Sequence, residues 1–378
     1  MCETEIYVTG DVMILGKRLQ GILKNLVSPF MKFVTPRIDI LRLKVVESLK
    51  RVFSPEGLTG LCALSSFIIT MLILFFLVQQ GLPIIREMGY WQYGLYITLL
   101  LKEMGLSDYL WLHALIQSNG NIIIGFVNFI SGSTWDPSNY EFGVLPLVVG
   151  TLTVVGGALL IAVPIGILSA IHLSEYCPPK IRNVVKPVIE LLAGIPSVVY
   201  GFVGLAVLVP YIANIFNLRS GQTALAGAII LSIMILPTIV SISEDAISSV
   251  PKSYKEASFA LGATHFQTVR KVLLPAAISG ITASIILAVG RALGETMAVL
   301  MVCGGVANIP PLSLELFFTS VKPMTAAIAA EMGETAVGTL HYSALFGVGL
   351  VLFIITYIVN FIADTINAGF KKKFGGMR

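Results

Sequence analysis

The sequence predicts an all-α integral membrane protein with about six transmembrane helices and both termini on the cytoplasmic side. Three observations carry that prediction. Of 378 residues, 56% are hydrophobic and only 12% charged, with a mean hydropathy of +0.87. Several charge-poor stretches exceed the roughly 20 residues that a helix needs to cross a bilayer core. Lys and Arg fall almost entirely in alternate connections between those stretches. Backbone polar groups in hydrocarbon must be satisfied within their own segment, so long unbroken runs mean helices, whereas barrel strands leave short alternating patterns.

Residues 1–56 form a basic cytoplasmic or interfacial segment. Within it, Leu19, Ile22, Leu23, Leu26 and Phe30 recur at helical spacing beside Lys and Arg, which predicts an amphipathic helix on the inner membrane surface. The first 55 residues hold no apolar run long enough for a secretory signal. "LCALSSFIITMLILFFLV" therefore reads as an uncleaved first span, at 57–85.

Residues 86–141 read as an extracytoplasmic insertion. "MGYWQYGLYITLLL" is too short to span, and "YLWLHALIQSNGNIIIGFVNFISG" is interrupted by Asn, Gln and His, so a partly interfacial insertion is favoured over two more spans. A core domain follows at 142–370, with spans at 142–171, 191–218, 220–243, 272–303 and 335–363. The chain ends in a basic tail, 371–378.

Sidedness follows from the basic residues, which are retained on the cytoplasmic side. Twenty of the 25 Lys and Arg lie in the N-terminal segment, in "CPPKIRNVVK", between Pro251 and Lys271, and in the tail. The opposite connections hold Arg86, Lys102, Arg219 and Lys322, and Arg291 lies inside a span. Cys2, Cys62, Cys177 and Cys303 are scattered, without the spacing of a zinc site or a disulfide framework.

The cytoplasmic connection 251–272 and the start of the next span read "YKEASFALGATHFQTVRKVLLPAAISGI". Glu256, Ala257 and Ala260 to Ala263 suit a short helix with a small, nearly flat surface, Gly262 allows a sharp turn, and Pro275 opens the next span. This segment resembles the cytoplasmic signature of ATP-binding cassette importer permeases, E-A-A, three residues, G, nine residues, I, one residue, L-P. Here the matching residues are Glu256, Ala257, Ser258, Gly262 and Val272 to Pro275, with Ser258 for Ala and Val272 for Ile as departures that keep size and character.

The resemblance implies a type I importer transmembrane domain whose coupling helix docks on an ATPase subunit, with Glu256 at the contact and Gly262 shaping the turn. No G-x-x-x-x-G-K-[ST] sequence occurs in the chain, in keeping with ATP and Mg being bound by separate subunits and no cofactor by this one. "LSEYCPPKIRNVVKPVIELLAGIPSVVYGFVGL", "GRALGETMAVLMVCG" and "HYSALFGVGLVLFIITYIVN" resemble the phosphate-specific transport (Pst) permeases, PstC type, over about residues 57–370. That implies alternating access for inorganic phosphate, beside a PstA-like permease, two PstB-like ATPase subunits and a PstS-like extracytoplasmic binding protein. Permeases for sulfate or molybdate are the nearest alternative. An intramembrane enzyme needs a motif such as H-E-x-x-H, which His113, His172, His265 and His341 do not supply. A signalling or scaffold protein is the third class.

The fifth span carries two charges, Arg291 and Glu295. At about 100° per residue, Gly280, Ser284, Ala288 and Ala292 make a small-residue stripe, and both charges fall within it. An ionisable group in a span costs about 2.5–3.5 kcal/mol, so a partner is expected, and a spacing of four lets the two pair with each other. The pair either fixes helix packing or handles an anion, since a guanidinium fork matches two phosphate oxygens. Thr296 and Ser197 are candidate hydroxyl donors on the same pathway, against the ordinary habit of such residues of bonding their own helix. Gly194 and Pro196 predict a break beside Ser197. Glu331 and Glu334 are candidate contacts for a delivery protein.

Overall fold

A computed structural model describes residues 55–103, 122–310 and 313–374. The predicted amphipathic helix near residue 20 lies outside the described residues, as do 104–121 of the insertion and the last four residues of the tail. The chain divides into two units, Met1–Leu74 and Phe75–Arg378. In the first, the described part is a helix from Pro55 whose apolar side chains, such as Leu64, Phe67 and Leu72, are exposed, as lipid-facing residues are.

That helix, α1 (Pro55–Glu103), continues far past the first span. In the second unit, α2 (Ile122–Ser131) leads into a hairpin of β1 (Trp135–Asp136) and β2 (Glu141–Phe142), in register Trp135 with Phe142. Then come α3 (Leu145–Ile171), α4 (Pro179–Ala193), α5 (Ser197–Val203), α6 (Val209–Ile215), α7 (Ala224–Ser248), α8 (Lys252–Ala260), α9 (His265–Thr268), α10 (Leu274–Gly294), α11 (Met297–Val302), α12 (Met324–Glu331) and α13 (Leu340–Phe374). Among the described residues, six helical runs are long and apolar enough to span a membrane: Ala63–Met88, Leu145–Tyr176, Ser197–Ile215, Ala224–Ser248, His265–Gly294 and Leu340–Gly369. The protein is a multi-pass membrane protein.

The core lies where α3, α7, α10 and α11 meet, around Val154, Ala158, Leu231, Ile235, Ala288 and Val299. Small residues make this possible, as the stripe predicted: Ser284, Ala288 and Ala292 are buried, and the Ser284 hydroxyl meets that of Ser243 on α7 at 2.7 Å. Where helices pack without a hydrophobic drive from water, such close approach and buried hydroxyl pairs supply the attraction.

Two expectations are corrected. The fifth span does not run unbroken to residue 303: α10 stops at Gly294, Glu295 is extended (φ −70°, ψ 132°), and α11 restarts at Met297. Gly294 is a poor helix former, and the Glu295 carboxylate accepts from Ala298 N to open the next helix, so the backbone yields there. Nor does Pro275 open a span. The helix begins at His265 and passes through a π turn, Val269–Leu273, which absorbs the proline's missing N–H.

At the end of the molecule near the hairpin, Glu331 is only 14% exposed and binds Lys322 and His341, the latter at 2.7 Å. Trp135 donates its indole N–H to the same carboxylate at 3.2 Å, and His341 stacks on Phe142. Glu331 is thus committed within the chain, while Glu334 is exposed.

Candidate functional site

The loop 251–272 folds as two short helices at a sharp corner. Pro251 starts α8, and the helix ends at Ala260 because Gly262 adopts φ +78°, a left-handed conformation that costs a residue without a β-carbon nothing. Thr264 then opens α9 with a capping box: its hydroxyl accepts from Gln267 N while the Gln267 side chain accepts from Thr264 N. Ser258 faces inward and its hydroxyl meets that of Thr268 at 2.9 Å, both buried. A substitution that looked neutral in sequence is in fact a bond between the two loop helices.

The opposite face of the corner is left open. Glu256 and Ala257 are exposed, as are Phe259, Leu261 (89%) and Phe266 (63%). Apolar side chains of that size, rimmed by polar ones outside the spans, mark a protein-interaction surface.

From below, the loop is held by Glu175, in the π turn His172–Tyr176 that ends the second span. Its carboxylate, 8% exposed, pairs with Lys255 of α8 and faces His265 Nε2 of α9 at 3.2 Å. Sequence spacing could not have found these contacts, which join residues 80 and 90 positions apart.

The predicted Arg291–Glu295 pair is not formed. Spacing of four makes neighbours only on a continuous helix, and the chain leaves the helix between them. Arg291 donates through Nη2 to the Ala193 carbonyl at 3.2 Å and through Nη1 to Thr238 Oγ1 at 3.5 Å. Among the described residues no carboxylate lies within ion-pair reach of it. Glu295 turns the other way and accepts from Ala298 N at 3.2 Å, closing the open N-terminus of α11, while its own carbonyl accepts from Thr325 at 2.6 Å. A cavity of about 10 Å³ beside it, lined in part by Thr151 and Thr325, matches a single water.

Thr296 Oγ1 bonds back to the Gly294 carbonyl at 3.2 Å, the local habit expected of a threonine at a helix end. Ser197 opens α5 just past the break that Gly194 and Pro196 predicted, and it makes no hydrogen bond to Arg291. The two broken spans lie side by side. A β-carbon on Gly201 of α5 would sit 2.9 Å from Ala298 Cα and 2.8 Å from Met301 Sδ, so only glycine allows this approach of α5 to α11. Arg291 bridges the two breaks by reaching Ala193, the last residue before the first of them.

Beside this region α4 is tied to α7. Fully buried Glu244 takes Arg182 and Lys186, the latter also reaching Asp245. Burial pulls the Lys186 pKa down, but hydrogen bonds to Asp245 and Glu244 outweigh it and raise it above the ordinary lysine value, so the ammonium stays charged at neutral pH. Among the described residues, no cluster of three or more His, Cys, Asp or Glu is arranged to hold a metal.

Residues 162–375 match the family model of the binding-protein-dependent transport system inner membrane component. A probable ABC transporter permease protein, YqgH of Bacillus subtilis, is 43% identical over 69% of this chain and 81% of its own length. The phosphate transport system permease protein PstC of Mesorhizobium japonicum is 40% identical over 62% and 76%, and that of Haemophilus influenzae 37% over 61% and 78%. Among solved structures, a bacterial ABC transporter that imports the acidic polysaccharide alginate aligns at 16% identity over 73% of this chain and 98% of its own, with a TM-score of 0.46. The chain belongs to the binding-protein-dependent transport system inner membrane components, in their PstC-type branch.

Proposed function

We propose that this chain is the PstC-type permease half of an ATP-driven importer that carries inorganic phosphate across the cytoplasmic membrane by alternating access. A PstA-like permease, two PstB-like ATPase subunits that hold ATP and Mg, and a PstS-like extracytoplasmic binding protein complete it. The loop 251–272 docks on an ATPase through its open face, including Glu256, Ala257 and Leu261, and both termini lie on that side. This chain breaks no bond itself.

One observation carries the anion assignment: Arg291 is a guanidinium inside a span, at the meeting of two helix breaks, with a carbonyl and a hydroxyl but, among the described residues, no carboxylate to balance it. A phosphate supplies the missing negative charge, and the planar fork meets two of its oxygens at once. At neutral pH phosphate still carries a proton to donate, for which the Ala193 carbonyl and the Thr238 and Thr296 hydroxyls are acceptors. Sulfate carries none. Ser197 borders the same path. Glu295 shapes the path by holding α11 in place and is a second-order contributor.

The test is phosphate uptake by proteoliposomes holding the assembled complex, with arsenate and sulfate as competitors. Arg291→Lys should raise the apparent KM about tenfold, the loss of one charge-assisted hydrogen bond of about 1.5 kcal/mol. Glu295→Gln should do less, because an amide oxygen still accepts from Ala298 N. Unchanged uptake in both variants refutes the assignment, and sulfate competing as well as arsenate redirects it to another oxyanion.

A further inference from the structure

We propose that Glu175 is a positioning residue of the transport cycle, the strut through which the docking loop moves the second span. The proposal rests on reading 251–272 as the ATPase-docking loop. The loop is joined by the chain itself to α7 on one side and, through α9, to α10 on the other, so any shift of α8 reaches the fourth and fifth spans directly. The second span has no such covalent link.

Its ionic tie to the loop is one carboxylate. Glu175 Oε2 receives Lys255 from α8 and faces His265 Nε2 from α9, so both loop helices converge on a single oxygen. The ring of Tyr176, the next residue, meets His265 edge-on with centroids 4.8 Å apart. Nearly all water is excluded from Glu175, which leaves its charge to be balanced by Lys255 of the loop, and in such a setting neither partner can leave without stranding the other.

The local winding supports a directed role. Glu175 lies in the π turn His172–Tyr176, and the helix begun by His265 passes into the π turn Val269–Leu273. A π turn adds a residue to the turn and re-aims the side chains that follow, and such turns recur at functional positions. Just inside the clamp, Ala170, Ile247, Ala277 and Ile281 already pack the second, fourth and fifth spans together. The helix ends therefore do not need Glu175 in order to meet. The carboxylate instead ties the second span to the loop beyond them.

The experiment compares phosphate uptake with ATP hydrolysis in proteoliposomes of the complete complex carrying Glu175→Gln, Glu175→Ala, or the exchange of Glu175→Lys with Lys255→Glu. In the single variants the ATPase should still copurify and hydrolyse ATP within about twofold of the parent, while uptake per ATP falls about tenfold or more. The exchange, which restores an ion pair, should recover much of the loss. Unchanged uptake per ATP in both single variants overturns the proposal. So does a fall in uptake that only tracks loss of the ATPase from the complex, since Glu175 would then merely keep the loop folded. Failure of the docking assignment reads out separately: Glu256→Arg and Leu261→Asp would leave ATPase copurification untouched.

Discussion

Glu175 and Glu331 each bind one lysine and one histidine, the first just past the C-terminal end of α3, the second against the hairpin that precedes its N-terminal end. The likeness ends with the residue types. Lys322 and His341 lie 9 and 10 positions from Glu331, so these two contacts close the short stretch 322–341 on itself, and the Trp135 indole adds the hairpin to it. Lys255 and His265 lie 80 and 90 positions from Glu175 and bring in a separate loop. The same three side chains serve as a staple where their sequence separation is short, and as a link between moving parts where it is long.

The comparison predicts opposite signatures for equivalent changes. Glu331→Ala strands the largely buried Lys322 ammonium and takes away the partner of His341, and should destabilise the protein by about 3 kcal/mol. It should lower the thermal unfolding temperature while uptake per ATP stays at the parent's value in the molecules that remain folded. A drop in uptake per ATP without loss of stability would erase the distinction from Glu175.

On the loop side, Ser258→Ala leaves the wholly buried Thr268 hydroxyl without its partner, for a cost of about 1–2 kcal/mol, and adding Thr268→Val should return most of that. Amide hydrogen exchange across α8 and α9 reports it, and equal exchange in the single and double variants would mean that the bond does not hold the corner. A comparable effect belongs to Trp135→Phe, which keeps an aromatic ring beside Phe142 but gives up the indole N–H shared by the two Glu331 oxygens and part of the buried ring volume beside His341. The expected loss is about 1–2 kcal/mol of stability, and none in uptake.

Much of the fold was legible because its signals are local. A span is a length of apolar chain, and the break at Gly194 and Pro196 is written in residues that cannot continue a helix. The corner in the loop 251–272 was legible too, through Gly262 and the spacing around it. The break at Glu295 was equally available in Gly294, but placing Arg291 and Glu295 on one wheel presupposed the continuity that this residue interrupts. The helical stripe was real as far as Ala292, which is why the reasoning held for packing and failed for the pair. Glu175 left no sequence signal, because its partners are brought to it by folding, and neither π turn alters composition or periodicity enough to be seen. Ser258 was misread for a different reason: size and polarity were judged without knowing that Thr268 would face it.

The exposed face of the docking corner bears on the life of the chain before it ever transports anything. Leu261 stands out from the loop ahead of the fifth span, which begins at His265, and a newly made copy carries it bare. If an ATPase subunit seats there as proposed, a copy that lacks one displays the kind of sticky surface that chaperones and proteases recognise. The docking surface thus doubles as a marker of incomplete assembly, and copies made in excess of the ATPase are the ones that the cell's quality control can single out.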